Sequence, residues 1–456
     1  MTELFSRSVE IDCSVDEAFA WHERPGALAR LTPPWETVEV ESQEGGIQNG
    51  ARVILRSKVG PVWTRWVVEH FGYERGRLFC DRLLQGPFAS WEHRHRFEEL
   101  EAGKCRLTDE IRYRLPGGAV GQLGAGFTRA KLQRMFAYRH AVTKADLELP
   151  KARARRVLVS GASGLLGSAL AGWLRLQGWL VDTLVRRAPK EENEIRWDPA
   201  RGEVAWPADY QCDAVVHLAG ANIAAGRWTA RRKASILRSR VDGTRGLVNA
   251  LERLNKPPAV FLCGSATGFY GNRGDESLNE TSPGGDGFLA EVCRAWEEAA
   301  DGLAKRGVRV VKLRTGIVLS PAGGALARMG PIFAMGGGGP VGGGQQWQSW
   351  ISLDDWLRAC RHILVTDELS GPVNMAAVGA VRQREFARTL GAVMRRPAVV
   401  PAPEWVLRLG LGQMADEVLL ASTRVRPARL MESDFEFLHP SLVKALQHVL
   451  GRDAGP

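Results

Sequence analysis

A doubly wound α/β domain, preceded by an α+β domain and followed by a short helical tail, is the fold class this sequence predicts. Three observations carry it. The chain has 456 residues, too many for one ordinary core, so two or three domains are expected. A glycine-rich turn, Gly161-Ala162-Ser163-Gly164-Leu165-Leu166-Gly167, follows the apolar run Arg156–Ser160 and precedes a helical stretch. Ahead of it, five alternating runs are followed by one long pattern of helical period.

Residues 1–150 form the first segment. Ser14-Val15-Asp16-Glu17 is a Ser-x-x-Glu box that opens a short helix, and Pro33-Pro34 closes the helical stretch after Leu31. The runs 51–58, 62–71, 78–84, 90–100 and 104–115 alternate and predict a meander of antiparallel strands. From about Val120 to Leu147 the spacing of Leu132, Met135, Phe136, Arg139 and Val142 is helical. Such a sheet can curl around the long helix and leave a cavity. Trp91, His93, His95 and Phe97 share one strand face. With no third ligand evident beside His93 and His95, the expectation is cavity-lining or packed imidazoles and no metal.

Residues 151–155 read as a linker, and 156–400 as the second domain. Its apolar strands are 156–160, 180–185, 213–220, 259–263 and 308–313, alternating with helices such as 168–177, which gives a parallel sheet with ligands at the strand C-termini. Residues 401–450 are a mostly helical third segment.

In the turn, Gly161 permits the sharp bend, Gly164 lets backbone N–H groups reach a pyrophosphate, and Gly167 lets helix and strand pack closely. The helix N-terminus presents its positive end to the phosphates. The second strand ends in Arg186-Arg187 rather than a carboxylate, which favours the 2′-phosphate of NADP over NAD. The strand end Leu218-Ala219-Gly220 is small enough for a cofactor to lie against the backbone. The predicted cofactor set is Gly161, Ser163, Gly164, Leu165, Leu166, Gly167, Arg186, Arg187, Leu218, Ala219, Gly220 and Arg314.

Composition excludes other classes. The chain is 45% hydrophobic and 25% charged, as globular proteins are. No apolar run approaches the roughly 18 residues of a membrane span. The opening MTELFSRSVEIDCSVDEAF is neither a signal nor a transit peptide, so a cytoplasmic location is expected. Seven scattered cysteines without a CxxC pair argue against disulfides or a zinc site. The net charge of +10 is spread among nearly as many acids, and nucleic-acid binding is not expected.

The order of elements in 1–150, with the run Gly86-Pro87-Phe88-Ala89-Ser90-Trp91-Glu92-His93-Arg94-His95-Arg96-Phe97, resembles the helix-grip family of START-like, polyketide-cyclase-like (SRPBCC) domains. That resemblance implies an apolar ligand. The stretches HLAGANIAAGRW (217–228), SATGFYG (265–271), LRTGIVLSPAGGAL (313–326), GGPVGGGQQWQSWISLDD (338–355) and GPVNMAA (371–377) resemble the atypical, epimerase-like (YfcH-type) branch of the extended short-chain dehydrogenase/reductase superfamily, a Rossmann fold. The stretch 422–442 resembles the small C-terminal domain of that branch.

The resemblance implies an NADP-binding epimerase or oxidoreductase acting on a small molecule. Classical members of the superfamily use Ser, Tyr and Lys, with Tyr-x-x-x-Lys on one helix. Here Ser265 stands at the serine position, but the helix 288–297 has neither Tyr nor Lys. The catalytic expectation therefore falls on Ser265 and Tyr270, the latter either a displaced acid or a loop tyrosine packed near the cofactor, with Glu291 as reserve base. Arg294 is a candidate for anchoring substrate, and Cys293 reads as core. The missing dyad discriminates toward the alternative, a non-catalytic NADP-dependent sensor, regulator or scaffold, for example in cell division. The loop Gly336–Gly344 reads either as a mobile lid or as a connector.

Overall fold

The structure is a computed structural model that describes residues 2–452. It divides into two compact units, one built mainly from the chain up to Ala152, the other from Arg153–Leu174 and Trp179–Val449.

The first unit begins with β1 (Glu3–Ile11), α1 (Val15–Glu23), α2 (Ala27–Leu31) and β2 (Val38–Glu44). It continues with β3 (Arg52–Val59), β4 (Val62–Glu74), β5 (Leu78–Gln85), β6 (Ser90–Glu101) and β7 (Lys104–Arg114). A short α3 (Gly118–Gly121) leads to the long α4 (Ala125–Leu147). Ser14 caps α1 by accepting the Glu17 N–H at 3.3 Å, as the sequence box predicts. The strands form one antiparallel sheet in the order β1-β7-β6-β5-β4-β3-β2. Leu132 and Phe136 of α4 pack with Phe5, Ile111 and Tyr113 of the sheet, so the helix covers the sheet's inner face. Burying a side chain such as Phe136 contributes about 1.5–3 kcal/mol.

Between sheet and helix lies a cavity of about 10 Å³, lined by His22, His95, Asp109, Arg139 and His140 among others. That is room for about one water molecule. The apolar chamber expected from the sequence is here a small polar one, because β6, β7 and α4 each place imidazole or carboxylate groups on their inner faces. His93 and His95 are both buried in this interior.

The second unit holds β8 (Arg156–Ser160), α5 (Leu165–Leu176), β9 (Leu180–Val185), β10 (Glu194–Asp198), β11 (Glu203–Val204), β12 (Ala214–His217) and α6 (Ala230–Glu252). Then come β13 (Val260–Ala266), β14 (Ser277–Leu278), α7 (Phe288–Ala300), β15 (Arg309–Thr315), β16 (Ile317–Leu319) and α8 (Gly324–Ala334). The short β17 (Trp347–Gln348) and β18 (Trp350–Ser352) precede α9 (Leu353–Val365) and β19 (Gly371–Met375). The main sheet runs β11-β10-β9-β8-β12-β13-β15-β19, parallel except at β11. From β8 the chain first builds outward through β9, then returns to place β12 on the other side of β8. The reversal falls at the C-terminal ends of β8 and β12, the usual ligand position in such sheets. The core beneath it is fully apolar at Leu158, Val215 and Phe261.

Residues from Pro401 onward cluster with this same unit up to Val449. Among them, Arg424–Val425 pairs in parallel with β14. Among the described residues no helix is long and apolar enough to cross a membrane.

Candidate dinucleotide site

The turn after β8 is built for close approach. Gly161 has φ +71, and a Cβ there would lie 2.8 Å from the Leu218 carbonyl carbon and 2.9 Å from the Ala219 nitrogen. The ends of β8 and β12 therefore touch only because Gly161 lacks a side chain. A Cβ on Gly167 would fall 2.3 Å from the Gly161 carbonyl oxygen. A Cβ on Gly164 would meet only the Gly161 oxygen, at 3.4 Å, so its remaining side is open. Helix α5 begins at Leu165, three residues before the expected Ser168, which puts the N–H groups of Leu165, Leu166 and Gly167 in its first turn. Ser163 and Gly164 are exposed at this N-terminus. Leu165 packs toward the turn before α8, where a Cβ on Gly323 would lie 3.1 Å from its side chain.

The β12 end is clamped by groups the sequence reading passed over. Ser160 Oγ lies 2.7 Å from His217 Nδ1 and accepts the Leu218 N–H at 3.1 Å. His217 Nε2 is 3.0 Å from Thr244 Oγ1 of α6. Burial pushes the His217 imidazole down to about 3, so it stays neutral and holds Ser160 Oγ, which accepts the N–H groups of Leu218 and Ala219.

Beyond β9 the two arginines differ. Arg187 is engaged by Glu194, its Nη1 donating to Oε2 at 2.7 Å. Arg186 is exposed. Glu194, at the start of β10, had no part in the sequence reading. Asp182 is buried inside β9, bonded to Arg156 and Tyr210, and does not serve the strand end.

Past β13 a cross-strand row, Ser265↔Arg314↔Asn374, links β13, β15 and β19. Ser265 donates to Glu297 Oε1 of α7 at 2.6 Å. Arg314 holds both Glu297 oxygens, each at 2.9 Å. Its Nη1 donates to the Tyr270 hydroxyl at 3.1 Å, and its guanidinium lies 3.4 Å over the Phe269 ring. Tyr270 is fully buried, with its hydroxyl 2.7 Å from Asn374 Oδ1 and 3.0 Å from the Asn279 carbonyl. Burial raises the Tyr270 phenol above its ordinary value, outweighing Arg314. Burial likewise raises the Glu280 carboxyl, which accepts the Asn374 N–H at 3.0 Å.

Three expectations meet a different geometry here. Arg314, read as cofactor-binding, is buried in an ion pair with Glu297. The hydroxyls of Ser265 and Tyr270, read as proton carriers, are engaged inside the protein, because the row they stand on carries its own carboxylate and amide partners. Glu291 is exposed on the first turn of α7 and stands apart from this network. Arg294 donates to the Gly285 carbonyl at 2.5 Å. Cys293 is buried, its thiol raised to about 11 by burial.

The N-terminus of α7 is capped by Glu417, which accepts the N–H groups of Phe288 and Leu289 at 3.1 and 2.7 Å. The glycine-rich loop is a paired connector. Val400 N–H donates to Gly338 at 3.0 Å and Ala402 N–H to Pro340 at 2.8 Å, and a Cβ on Gly339 would lie 2.1 Å from the Val400 oxygen.

Tyr270 in this setting is a bracing group. Tyr270→Phe is expected to lower stability by about 1–3 kcal/mol by leaving Asn374 Oδ1 short of a donor. Thermal unfolding of the two proteins checks this, and an unchanged transition counts against the bracing role.

Comparison with known proteins agrees with this geometry. Residues 157–376 match the model of the NAD dependent epimerase/dehydratase family. An epimerase family protein of Mycobacterium tuberculosis is 40% identical over 296 residues, 65% of this chain and 98% of the relative. The chain belongs to the epimerase family. The human member SDR39U1 is 34% identical over 298 residues, 65% of this chain and 99% of its own. Two further matches flank the family domain, polyketide cyclase/dehydrase and lipid transport at 2–148 and a domain of unknown function at 402–449.

Among solved structures, a nucleoside-diphosphate sugar epimerase from Corynebacterium glutamicum aligns with a TM-score of 0.79 at 32% identity, covering 98% of this chain and 90% of that one. Human SDR39U1 (isoform 2) with NADPH aligns with a TM-score of 0.60 at 33% identity, covering 65% and 99%. The three-part order of an SRPBCC domain, an epimerase-like Rossmann domain and a small C-terminal domain is that of the sequence reading.

Proposed function

We propose that the second unit binds NADP(H) at the C-terminal ends of β8 and β12, and that the protein performs epimerase- or reductase-type chemistry on a sugar-bearing small molecule. The observation that carries the binding half is the β8–α5 turn. Gly161 and Gly167 are closed against backbone, while Gly164 stays open in front of a helix N-terminus. The other assigned contacts are Ser163, Leu165 and Leu166 on that turn, Leu218, Ala219 and Gly220 opposite, and Arg186 on the 2′-phosphate. Arg187 positions the strand end through Glu194. The NADPH in the human relative's structure supports the phosphorylated cofactor. The description of the Corynebacterium relative supports a nucleoside-diphosphate sugar as substrate class. For the first unit, the match to the polyketide cyclase/dehydrase and lipid transport model supports a ligand-binding role.

Proton handling falls to Glu291 as the exposed base, with Ser265 and Tyr270 acting through the network that positions α7 and the β13 end. A second reading, an NADP-dependent sensor without turnover, is favoured by one observation: both hydroxyls are already hydrogen-bonded inward. Nuclear magnetic resonance of nucleoside-diphosphate sugars incubated with the protein and NADP(H) separates the two. Conversion that is lost in Glu291→Gln supports the enzyme. Tight cofactor binding with no conversion supports the sensor.

Cofactor choice gives its own test. Arg186→Asp is expected to weaken NADPH binding by about 1–3 kcal/mol through loss of a charge-assisted hydrogen bond, and to leave NADH nearly unchanged. Calorimetry with both nucleotides reads this directly. Equal affinities of the unsubstituted protein for NADH and NADPH would sink the assignment.

A further inference from the structure

The inner face of the first unit's sheet carries two adjacent cross-strand rows. One runs His70↔Asp81↔His93 across β4, β5 and β6, the other Phe79↔His95↔Asp109 across β5, β6 and β7. Alternation on a strand puts residues two apart on the same face, so Asp81, His93, His95 and Asp109 converge. Asp81 Oδ2 lies 3.1 Å from His93 Nδ1 and 3.7 Å from His95 Nε2. Asp81, His93 and His95 each offer one ligand atom, and all three atoms lie within 4.8 Å of one another.

The geometry points to a buried site for a divalent first-row transition ion, zinc being the representative, with Asp81, His93 and His95 as its ligands. Bonds of about 2.0–2.1 Å in a tetrahedral site put neighbouring ligand atoms roughly 3.3 Å apart, and the two distances above bracket that value. Two imidazoles and one carboxylate are a donor set that such ions accept.

The surroundings support the assignment independently. Metal-bound imidazoles characteristically direct the other ring nitrogen at a carboxylate, which fixes tautomer and orientation. Asp109 stands in that position for His93 and lies close beside the second ring nitrogen of His95. Its Oδ1 is 2.9 Å from His93 Nε2 and 2.8 Å from His95 Nδ1. Its Oδ2 is held by His140 Nε2 of α4 at 2.6 Å. His95 is buried, yet its Nδ1 makes no well-directed hydrogen bond, and the buried Nδ1 atoms of His70 and His140 have no partner. His93 and His95 have ring centroids only 3.9 Å apart, a crowding that a shared ion accounts for. A buried carboxylate, Asp109, beside a partly buried one, Asp81, is costly unless paired, and a dication with neutral imidazoles balances both. Arg139 lines the adjoining cavity, but its Nε is engaged by the Leu31 carbonyl. The third ligand escaped the sequence because Asp81 lies on the neighbouring strand, aligned with His93 only by register.

The test uses the full chain, stripped with a chelator and titrated with zinc by calorimetry, then with cobalt(II) by visible absorption. One zinc per chain is expected, together with the d–d bands of a four-coordinate cobalt site. Binding should be lost in His95→Ala and Asp81→Asn, weakened about 10–100-fold in Asp109→Asn, and retained in His448→Gln. His448 belongs to a separate group with Asp354 and His439 in the second unit. Should His95→Ala not fold, the graded loss in Asp109→Asn and the cobalt spectrum of the unsubstituted chain still decide. A chain that takes up no zinc overturns the site in favour of a proton-bridged His–Asp cluster. Uptake that survives both Asp81→Asn and Asp109→Asn but disappears in His448→Gln also overturns it.

Discussion

Glu297→Gln is expected to cost about 3–5 kcal/mol of folding stability, among the largest effects a single substitution in the second unit should have. Glu297 accepts three donors: the Ser265 hydroxyl and two nitrogens of Arg314. Side-chain exposures of 5% for Arg314 and 6% for Glu297 leave little water to screen or replace the pair. Removing the carboxylate charge strands a guanidinium that is always protonated. Burial opposes the Arg314 charge, and Glu297 is what holds it up. The loss should appear as a lower urea midpoint at unchanged slope. The paired replacement Glu297→Leu with Arg314→Met should recover part of it, since an apolar pair of similar volume is often nearly neutral. A single-variant loss below about 1 kcal/mol would mean that the pair is far better solvated than its burial indicates.

What the sequence disclosed follows from the range of the interactions involved. Among strands β3 to β7, alternation is clearest in Lys104–Arg114, where every second residue is buried. Helix α1 was legible through Ser14, whose capping bond reaches only three residues. The strand β2 was not. Its stretch Val38–Glu44 is mostly polar and lies at the sheet edge, so it has no buried face to betray it. The start of α5 was placed late because Gly164 to Gly167 look like a loop by composition, although the turn before them imposes helical geometry. The glycine-rich turn itself was readable, since Gly161, Gly164 and Gly167 recur every third residue within one short run.

The network of Ser265, Tyr270, Glu297, Arg314 and Asn374 was not readable as a whole. Its members are 104 positions apart at the widest bond, Tyr270 to Asn374, and meet through the register of three parallel strands. Arg314 taken alone looked available to a cofactor for that reason. The same limit hid Asp81 from His93. Cross-strand pairing decides both cases, and no local pattern encodes it.

A matched pair of glycine substitutions separates the folding role of the cradle from its binding role. Gly167→Ala places a methyl 2.3 Å from the Gly161 oxygen and 2.7 Å from its carbonyl carbon. Both are backbone atoms, so no flexible side chain can yield, and α5 must move away from β8. Overpacking of this kind typically costs about 1–3 kcal/mol. The same shift withdraws the first-turn N–H groups from the pyrophosphate, and hydrogen bonds to a charged group contribute about 1.5–3 kcal/mol each. NADPH affinity should then fall on the order of a hundredfold or more. Gly164→Ala is different, because its methyl meets only the Gly161 oxygen, at ordinary contact distance of 3.4 Å, and otherwise projects into open space. Its unfolding midpoint should remain close to that of the unsubstituted protein while NADPH affinity falls, since the methyl occupies the volume that the phosphates need. Thermal unfolding with and without NADPH, together with calorimetry, reads both variants. If Gly164→Ala binds NADPH normally, the pyrophosphate does not sit over this turn, and the C-terminal ends of β8 and β12 lose their assigned ligand.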